Sequence, residues 1–291
     1  MYKHIIGWSH PELLFLLKKN RPNGFFYCTF RVVPRGFSQL MITMIYATAY
    51  NMYVPVFYTL LQSKSELTYW NAVNSMKGSV DYEINFASVT CDFELALIEA
   101  LKKHFWDDTN PEPAQQIFCL FHFQQANKRK LQGLHLPREQ ISVLLRAIRT
   151  LTVIPANEVV NKGIPFIRSR IDESRYHHIY EEYWKYFKRT WTERYNIEMW
   201  NIHRILHLPN CSEILVNLTN NPLERFNKRL NDAFKGIGRP KMAKFVEVIR
   251  EISVSYVNEL QQIKSGKKMP PLREAPNVPV VPAEYWNFTV G

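Results

Sequence analysis

The stretch Phe86-Ala-Ser-Val-Thr-Cys-Asp-Phe-Glu94 marks a change from strand pattern to helix pattern. Its first part, Phe86–Cys91, predicts a short buried strand. The apolar residues that follow recur at helical spacing and predict a helix: Leu97, Ile98, Leu101 and Phe105. This region therefore indicates an α/β protein.

Three β-like runs precede this region, at Phe25–Val33, Gln39–Thr48 and Val54–Leu61, and short turns between them predict an antiparallel meander. A Ser63-Lys-Ser-Glu66 capping box then predicts a helix. Its apolar positions are Leu67, Trp70, Val73 and Met76. A second strand-and-helix unit begins with Gln116–Phe121. This order predicts a mixed sheet flanked by helices.

The chain from about Pro137 to His207 has a helical pattern throughout. Its aromatic residues share one helical face: Tyr180, Tyr183, Trp184, Phe187 and Trp191. We interpret this face as the buried stripe of a helical subdomain, and the alternative is a platform on which nucleic-acid bases stack. A last long helix is predicted around Phe245 to Ile263. Beyond Ser265-Gly266 five prolines predict an extended or mobile arm.

Composition narrows the class of partner. The 291 residues contain 37 Lys plus Arg against 26 Asp plus Glu, a net charge of +11, which favours a polyanionic partner such as nucleic acid. Four distant cysteines do not form a disulfide framework. The uncharged stretch Leu40–Leu61 is long enough to span a bilayer, but Pro55 and the turn at Tyr50–Tyr53 favour two strands. We therefore expect no membrane partner.

Asp92 stands where the buried strand gives way to a helix. A carboxylate at the carboxyl end of a sheet strand faces the crevice where ligands commonly bind. The alternative is that Asp92 caps a helix that begins at Phe93. Glu94 is interpreted as a partner of the helix dipole in the first turn.

A second helix start lies at Thr219-Asn-Asn-Pro-Leu-Glu-Arg-Phe-Asn227. Asn221 as the N-cap, Pro222 at the first helical position and Glu224 in the capping box explain these residues without catalysis. The apolar positions predicted to face the core are Leu223, Phe226, Leu230 and Phe234. The basic positions predicted to face solvent or a phosphate backbone are Arg225, Lys228 and Arg229.

The pair Cys119-Leu-Phe-His122 has two residue types that bind zinc, although a zinc site normally needs a second pair of ligands. We therefore expect that these two residues take part in local packing, and a zinc site is the less favoured alternative. The sequence contains no glycine-rich dinucleotide or phosphate loop, no serine-hydrolase elbow and no His-Glu-x-x-His motif. These absences count against the corresponding enzyme classes.

Taken together, these segments resemble the transposase domain of Mutator-like elements, in the ribonuclease-H-like superfamily. The resemblance runs from about Pro11 to Ile252. Its pieces, in chain order, are Thr29-Phe-Arg-Val-Val-Pro34, Phe37-Ser-Gln-Leu40, Val54–Leu61, Lys64, Tyr69, Asp92-Phe-Glu94, Cys119-Leu-Phe-His122, Trp184, Trp191 and Thr219-Asn-Asn-Pro-Leu-Glu224.

The resemblance implies a ribonuclease-H-like α/β fold: a mixed sheet flanked by helices, with an all-helical insertion before the last catalytic helix. We accordingly divide the chain into a core at 1–136, a helical insertion at 137–207, C-terminal helices completing the core at 208–264, and a Pro-rich tail at 265–291.

The resemblance also implies a site in which two Asp and one Glu hold two divalent metal ions, Mg²⁺ or Mn²⁺, for phosphoryl transfer. Asp92 would be the second acid and Glu224 the third. The first acid is missing, because its position is Tyr27, followed by Cys28, and the chain has no Asp or Glu between Glu12 and Glu66. A neutral phenol cannot bridge two cations as a carboxylate does, so we predict impaired catalysis.

We therefore predict a transposon-derived, nuclear protein that binds DNA mainly through the phosphate backbone, with DNA transposition impaired. Two alternatives stay open. One is an active metal-dependent transposase or nuclease in which another group replaces the lost acid. The other is a non-enzymatic domain that binds a protein partner through its helical insertion and Pro-rich tail. A homo-oligomer is compatible with each of these interpretations.

Overall fold

A computed structural model describes residues 4–18, 21–106, 113–171, 174–208, 211, 221–235, 237–272 and 278–290. The chain forms two compact units. The first unit comprises Met1–Gln116 and Asn220–Glu274, and the second comprises Ile117–Thr219 and Ala275–Gly291. The first boundary thus falls earlier than the division at 136 and 137 that the sequence suggested, and the end of the chain groups with the helical unit.

Strands of the described residues form a six-stranded mixed sheet. They are β1 (Ile5–Trp8), β2 (Asn23–Thr29), β3 (Gln39–Ala47), β4 (Met52–Leu61), β5 (Ser88–Cys91) and β6 (Gln115–Phe118). Their order across the sheet is β1-β4-β3-β2-β5-β6. The pairs β1–β4, β3–β4 and β2–β3 are antiparallel, whereas β2 and β5 are parallel. The predicted mixed α/β sheet with a meander is confirmed.

The helices follow the strands in alternation and then dominate the chain. They are α1 (Pro11–Leu14), α2 (Glu66–Gly78), α3 (Leu95–Phe105), α4 (Leu120–Gly133), α5 (Arg138–Ile148), α6 (Ile164–Ser169), α7 (His177–Lys188), α8 (Ile197–Trp200), α9 (His203–Leu206), α10 (Asn221–Ala233), α11 (Met242–Lys264) and α12 (Ala283–Trp286). Short 3₁₀ segments lie at Phe15–Lys18, Thr48–Tyr50, Arg149–Thr152, Ala156–Glu158 and Ser174–Tyr176, and π-helical turns at Val159–Gly163 and Arg189–Arg194.

Central strands of the sheet are buried on both faces. Every residue of β3 is buried, because helices cover both sides of the first unit. On one face Phe26 packs against Phe105 of α3, and on the other Tyr58 packs against Phe226 of α10. The uncharged stretch Leu40–Leu61 is therefore two core strands. No helix within the described ranges is long and apolar enough to cross a membrane.

Several local predictions were wrong in detail. Helix α2 is capped by Ser65, whose hydroxyl accepts the Thr68 N–H, and not by Ser63. Leu67 is 68% exposed, so it lies outside the buried face that the spacing suggested. The strand predicted over Gln116–Phe121 ends at Phe118, and helix α4 begins at Leu120. The sequence did not place this boundary, because a short apolar run is compatible with a strand and with a buried helix.

Helices of the second unit pack around aromatic side chains. The predicted stripe is buried: Tyr180, Tyr183, Trp184, Phe187 and Trp191 are each at most 6% exposed. Phe123 stacks on Trp200 with ring centroids 4.9 Å apart. The base-stacking alternative is wrong for these residues, because their buried rings cannot receive a base.

Residues 278–290 do not form the extended or mobile arm that the prolines suggested for the end of the chain. Residues 278–290 include the short helix α12, and Tyr285 of this helix is completely buried. Its ring packs edge-on against Phe166, and its hydroxyl donates to Glu158 Oε2 at 2.6 Å. Residues 278–290 are therefore a packed segment of the second unit.

Pairing of β2 with β5 leaves no space for a side chain at Gly24. A Cβ there would meet Phe86 Cε1 at 2.9 Å, and Phe86 is itself held by Phe26 and Phe105. We expect Gly24→Ala to lower the free energy of unfolding by about 1–3 kcal/mol in urea denaturation. Gly78→Ala, whose new Cβ meets nothing closer than 3.7 Å, should change it by less than about 0.5 kcal/mol. Equal losses in both variants would contradict this packing.

Candidate functional site

Strand β5 ends beside the parallel strand β2, which continues for three more residues. The register of β2 and β5 runs from Asn23 opposite Ser88 to Phe26 opposite Cys91. The residue after Phe26 is Tyr27 and the residue after Cys91 is Asp92. These two residues therefore directly follow residues that lie opposite each other on the neighbouring strands. The Asp92 charge contributes to raising the pKa of Tyr27, after the larger effect of burial. Tyr27 thus lies beside the carboxylate that the sequence singled out.

Asp92 is a partly buried carboxyl in a tight turn. Its Oδ1 accepts the backbone N–H of Glu94 at 3.3 Å. Burial raises its pKa, while that N–H and the charge of Lys64 act in the opposite direction. Keeping Asp92 ionised here therefore costs stability, which is typical of functional positions.

The alternative that Asp92 caps a helix beginning at Phe93 is wrong. Helix α3 begins at Leu95, not at Phe93, and the residue in the N-cap position is Glu94, whose side chain makes no capping hydrogen bond. Asp92 instead closes a local turn ahead of the helix. This turn accounts for the hydrogen bond from the Glu94 N–H to Asp92. It does not account for the burial of the Asp92 carboxyl.

Glu94 belongs to a hydrogen-bonded group under the same edge. Its carboxylate is hydrogen-bonded to the hydroxyl of Tyr69 in α2, and that hydroxyl also accepts a hydrogen bond from Gln39 Nε2 of β3. Burial and the nearby Cys28 raise the pKa of Tyr69, so it remains a donor. From the sequence, Glu94 was expected to be a partner of the helix dipole, and this contact was not predicted, although Gln39, Tyr69 and Glu94 all lie in segments that carry the resemblance.

Cys28 packs against this group. Burial raises the pKa of its thiol well above the ordinary value, and the charges of Asp92 and Glu94 add to the effect. The thiol therefore stays protonated at neutral pH, and a thiol is a poor nucleophile and metal ligand. Lys64 lies nearby, with Nζ 5.2 Å from the centre of the Phe30 ring.

The residues at this edge do not fit two bridged divalent cations. Asp92 contributes one carboxylate, but Tyr27 is a phenol with a raised pKa and Cys28 is a protonated thiol. The side chain of Glu224 lies outside the described residues, as do those of Asn221 and Pro222. Within the described ranges, no group of three or more His, Cys, Asp or Glu side chains is placed to hold a metal.

Cys119 and His122 lie in the second unit, at the start of helix α4. Cys119 occupies the N-cap position and is buried. Burial, followed by the charge of Arg129, lowers the pKa of His122 to about 4, so its imidazole is neutral at physiological pH. The described neighbours do not complete a set of three metal ligands with this pair. Local packing of this pair, which the sequence favoured over a zinc site, stays a prediction.

Helix α10 presents the basic face that the spacing predicted. Leu223, Phe226, Leu230 and Phe234 are buried. Arg225, Lys228 and Arg229 are exposed. Arg229 is held in place, because its guanidinium donates to Ser255 Oγ and lies 4.8 Å from the centre of the Tyr256 ring. The face is therefore available to solvent and partly ordered by α11.

Comparison with known proteins finds no family model that matches this chain and no curated protein that matches it. Function is therefore inferred from the geometry of the strand ends, the charge distribution and the resemblance described above.

A test of the Asp92 environment follows from its raised pKa. A carboxyl of this kind holds its proton more tightly in the folded chain than in the unfolded chain, so stability falls as pH rises between the two pKa values. We expect Asp92→Asn to raise the free energy of unfolding at pH 7 by about 0.5–2 kcal/mol, and to have no such effect near pH 3. Urea denaturation at both pH values measures this.

The matched control is Asp81→Asn, at an exposed carboxylate that is paired with Lys18. Asp81 has a φ of 55°, a backbone conformation that Asn also tolerates. Its substitution should change stability at pH 7 by less than about 0.5 kcal/mol. Destabilisation by Asp92→Asn at pH 7 would show that the carboxylate is structural.

Proposed function

We propose that this chain is a transposon-derived DNA-binding protein with a ribonuclease-H-like core of the Mutator transposase type, in which the phosphoryl-transfer centre has lost its first acid. The observation that carries the proposal is the position of Tyr27 in β2 beside Asp92, which directly follows the neighbouring parallel strand β5. The resemblance assigns the first and second acids to these two positions.

The order of the sheet supports the fold part of the proposal. Strands β2, β3 and β4 form an antiparallel meander, and β5 pairs in parallel with β2. This arrangement is compatible with a ribonuclease-H-like sheet. Strand β1 is an addition at the far edge, where it pairs with β4. Helices α2 and α3 are the connections on either side of β5, so the chain order matches as well.

Segments of the resemblance also meet in space within the first unit. Gln39, Tyr69 and Glu94 share hydrogen bonds, and Lys64 lies near Asp92 and over Phe30. These residues come from five separate parts of the chain. Their convergence at one edge favours a former active-site region over a set of unrelated local motifs.

Among the described side chains, Asp92 has a raised pKa, Glu94 is hydrogen-bonded to Tyr69, and the Tyr27 position carries no carboxylate. The proposed centre would use Mg²⁺ or Mn²⁺, and Tyr27 does not fit that role. We therefore assign DNA binding, and not strand cleavage, as the activity that this chain retains.

DNA binding is proposed to occur through phosphate contacts. The net charge of +11 favours a polyanion, and helix α10 exposes Arg225 and Lys228 beside Arg229. Such contacts read no base sequence and weaken with salt, because binding releases counterions from the DNA. A nuclear location is part of this proposal.

Restoring the lost acid tests the assignment of Tyr27. We expect Tyr27→Asp to gain Mn²⁺-dependent nicking of supercoiled DNA, whereas the wild type and Tyr27→Phe show none above background. The gain should disappear when Asp92→Asn is added. Two adjacent carboxylates repel each other without metal, so Mn²⁺ should also raise the melting temperature of Tyr27→Asp but not of Tyr27→Phe.

Wild-type nicking that Asp92→Asn abolishes would show instead that the enzyme is active with another ligand. A folded Tyr27→Asp variant that neither nicks DNA nor responds to Mn²⁺ would remove the assignment of Tyr27 to the first-acid position. Circular dichroism establishes that each variant is folded.

The basic face of α10 can be tested by the salt dependence of DNA binding. If Arg225 and Lys228 each contact a phosphate, Arg225→Ala and Lys228→Ala should each reduce the slope of log K against log salt by about 0.9, measured by fluorescence anisotropy on duplex DNA. Lys102→Ala, which removes an exposed charge from α3, should leave the slope unchanged. Salt-insensitive binding, or equal effects of all three variants, would contradict this interface.

A further inference from the structure

Two histidines of the second unit lie side by side at the short helix α9. His203 is the first residue of the helix and His207 follows its last, one helical turn later. Their Nε2 atoms are 3.2 Å apart and their ring centroids 4.5 Å apart. His207 is exposed and His203 partly exposed, so the pair is open to solvent.

The backbone that carries this pair is firmly anchored. Asn201 donates from Nδ2 to the carbonyls of Leu151 and Ile154, both at 2.8 Å, and accepts the His203 N–H at 3.0 Å. The Ile202 N–H donates to the Thr152 carbonyl at 2.7 Å. On the opposite side of the helix, Ile202 and Ile205 are buried in an apolar cluster. The backbone that carries the two imidazoles is therefore fixed before any ligand binds.

The spacing of the two nitrogens matches the distance between two ligands of one metal ion. Zinc–nitrogen bonds of about 2.0–2.1 Å at a tetrahedral angle place the two nitrogens about 3.3–3.4 Å apart. The observed 3.2 Å also requires that at least one Nε2 carry a free lone pair, because two protonated nitrogens would repel each other. Imidazole suits zinc, copper and nickel ions.

We propose that His203 and His207 form a two-imidazole binding site for a divalent transition-metal ion, with water in the remaining coordination positions. The described residues supply no third His, Cys, Asp or Glu ligand, so the site is open. The Glu158 carboxylate interacts electrostatically with His203 and adds negative charge nearby, although it already accepts from Tyr285 and lies 3.9 Å from Lys162 Nζ. The usual order of affinities places Cu²⁺ above Zn²⁺.

Isothermal titration of the full chain with CuCl₂ and with ZnCl₂ tests this site. We expect one ion per chain, with Cu²⁺ bound more tightly than Zn²⁺. Because chelation needs both rings, His203→Gln and His207→Gln should each weaken Cu²⁺ binding at least tenfold. Each ion should also raise the melting temperature of the wild type but not of the two variants.

A matched control is the double variant His177→Gln/His178→Gln in α7, which removes two exposed histidines. Adjacent helical residues point about 100° apart, so these rings cannot chelate one ion, and binding should be unchanged. An equal loss in this control, or unchanged binding in His207→Gln, would overturn the proposal. Binding that survives the loss of both His203 and His207 but not Cys211→Ser would also overturn it.

Discussion

The parallel pairing of β2 with β5 is the constraint on which the first unit depends. Four residue pairs, from Asn23 opposite Ser88 to Phe26 opposite Cys91, join the meander to the strand that follows α2. The approach is close, because Phe86 occupies the space above Gly24. Buried Ser88 donates to Asn23 Oδ1 at 2.7 Å and fixes the register. A shift of one residue would move every side chain of β5 to the other face and separate Tyr27 from Asp92.

The larger elements could be predicted because their patterns have a single interpretation. Strands β3 and β4 and helices α2, α3 and α11 lie where apolar periodicity placed them. Strand β1 was not predicted, since four residues at a sheet edge give no periodic signal. The path of the chain around Tyr285 was also not predictable, because prolines exclude a long helix but do not show whether the segment packs on a neighbour.

At the candidate site, sequence reasoning found Asp92 but not its surroundings. A carboxylate after a buried strand is visible in the sequence, whereas the hydrogen bonds among Gln39, Tyr69 and Glu94 depend on which faces of β3, α2 and α3 meet. The pair His203 and His207 was missed for a different reason. The segment was predicted to be helical, but a spacing of four residues places two side chains on one face without showing that their rings meet. That contact depends on the single turn of α9 and on its anchor at Asn201.

Under the proposed function, the residue at position 27 affects both the stability of the fold and the capacity for phosphoryl transfer. Two carboxylates side by side at partly buried strand ends repel each other, and a bound cation is what makes such a pair tolerable. A tyrosine there removes the repulsion, and its hydrogen bond with Thr29 lies within the same strand. Asp92 is a carboxyl whose burial still raises its pKa at this end of the strands. Under the proposed function, a tyrosine at position 27 lets the sheet form without a bound cation, so loss of phosphoryl transfer need not cost the chain its sheet or its basic surface.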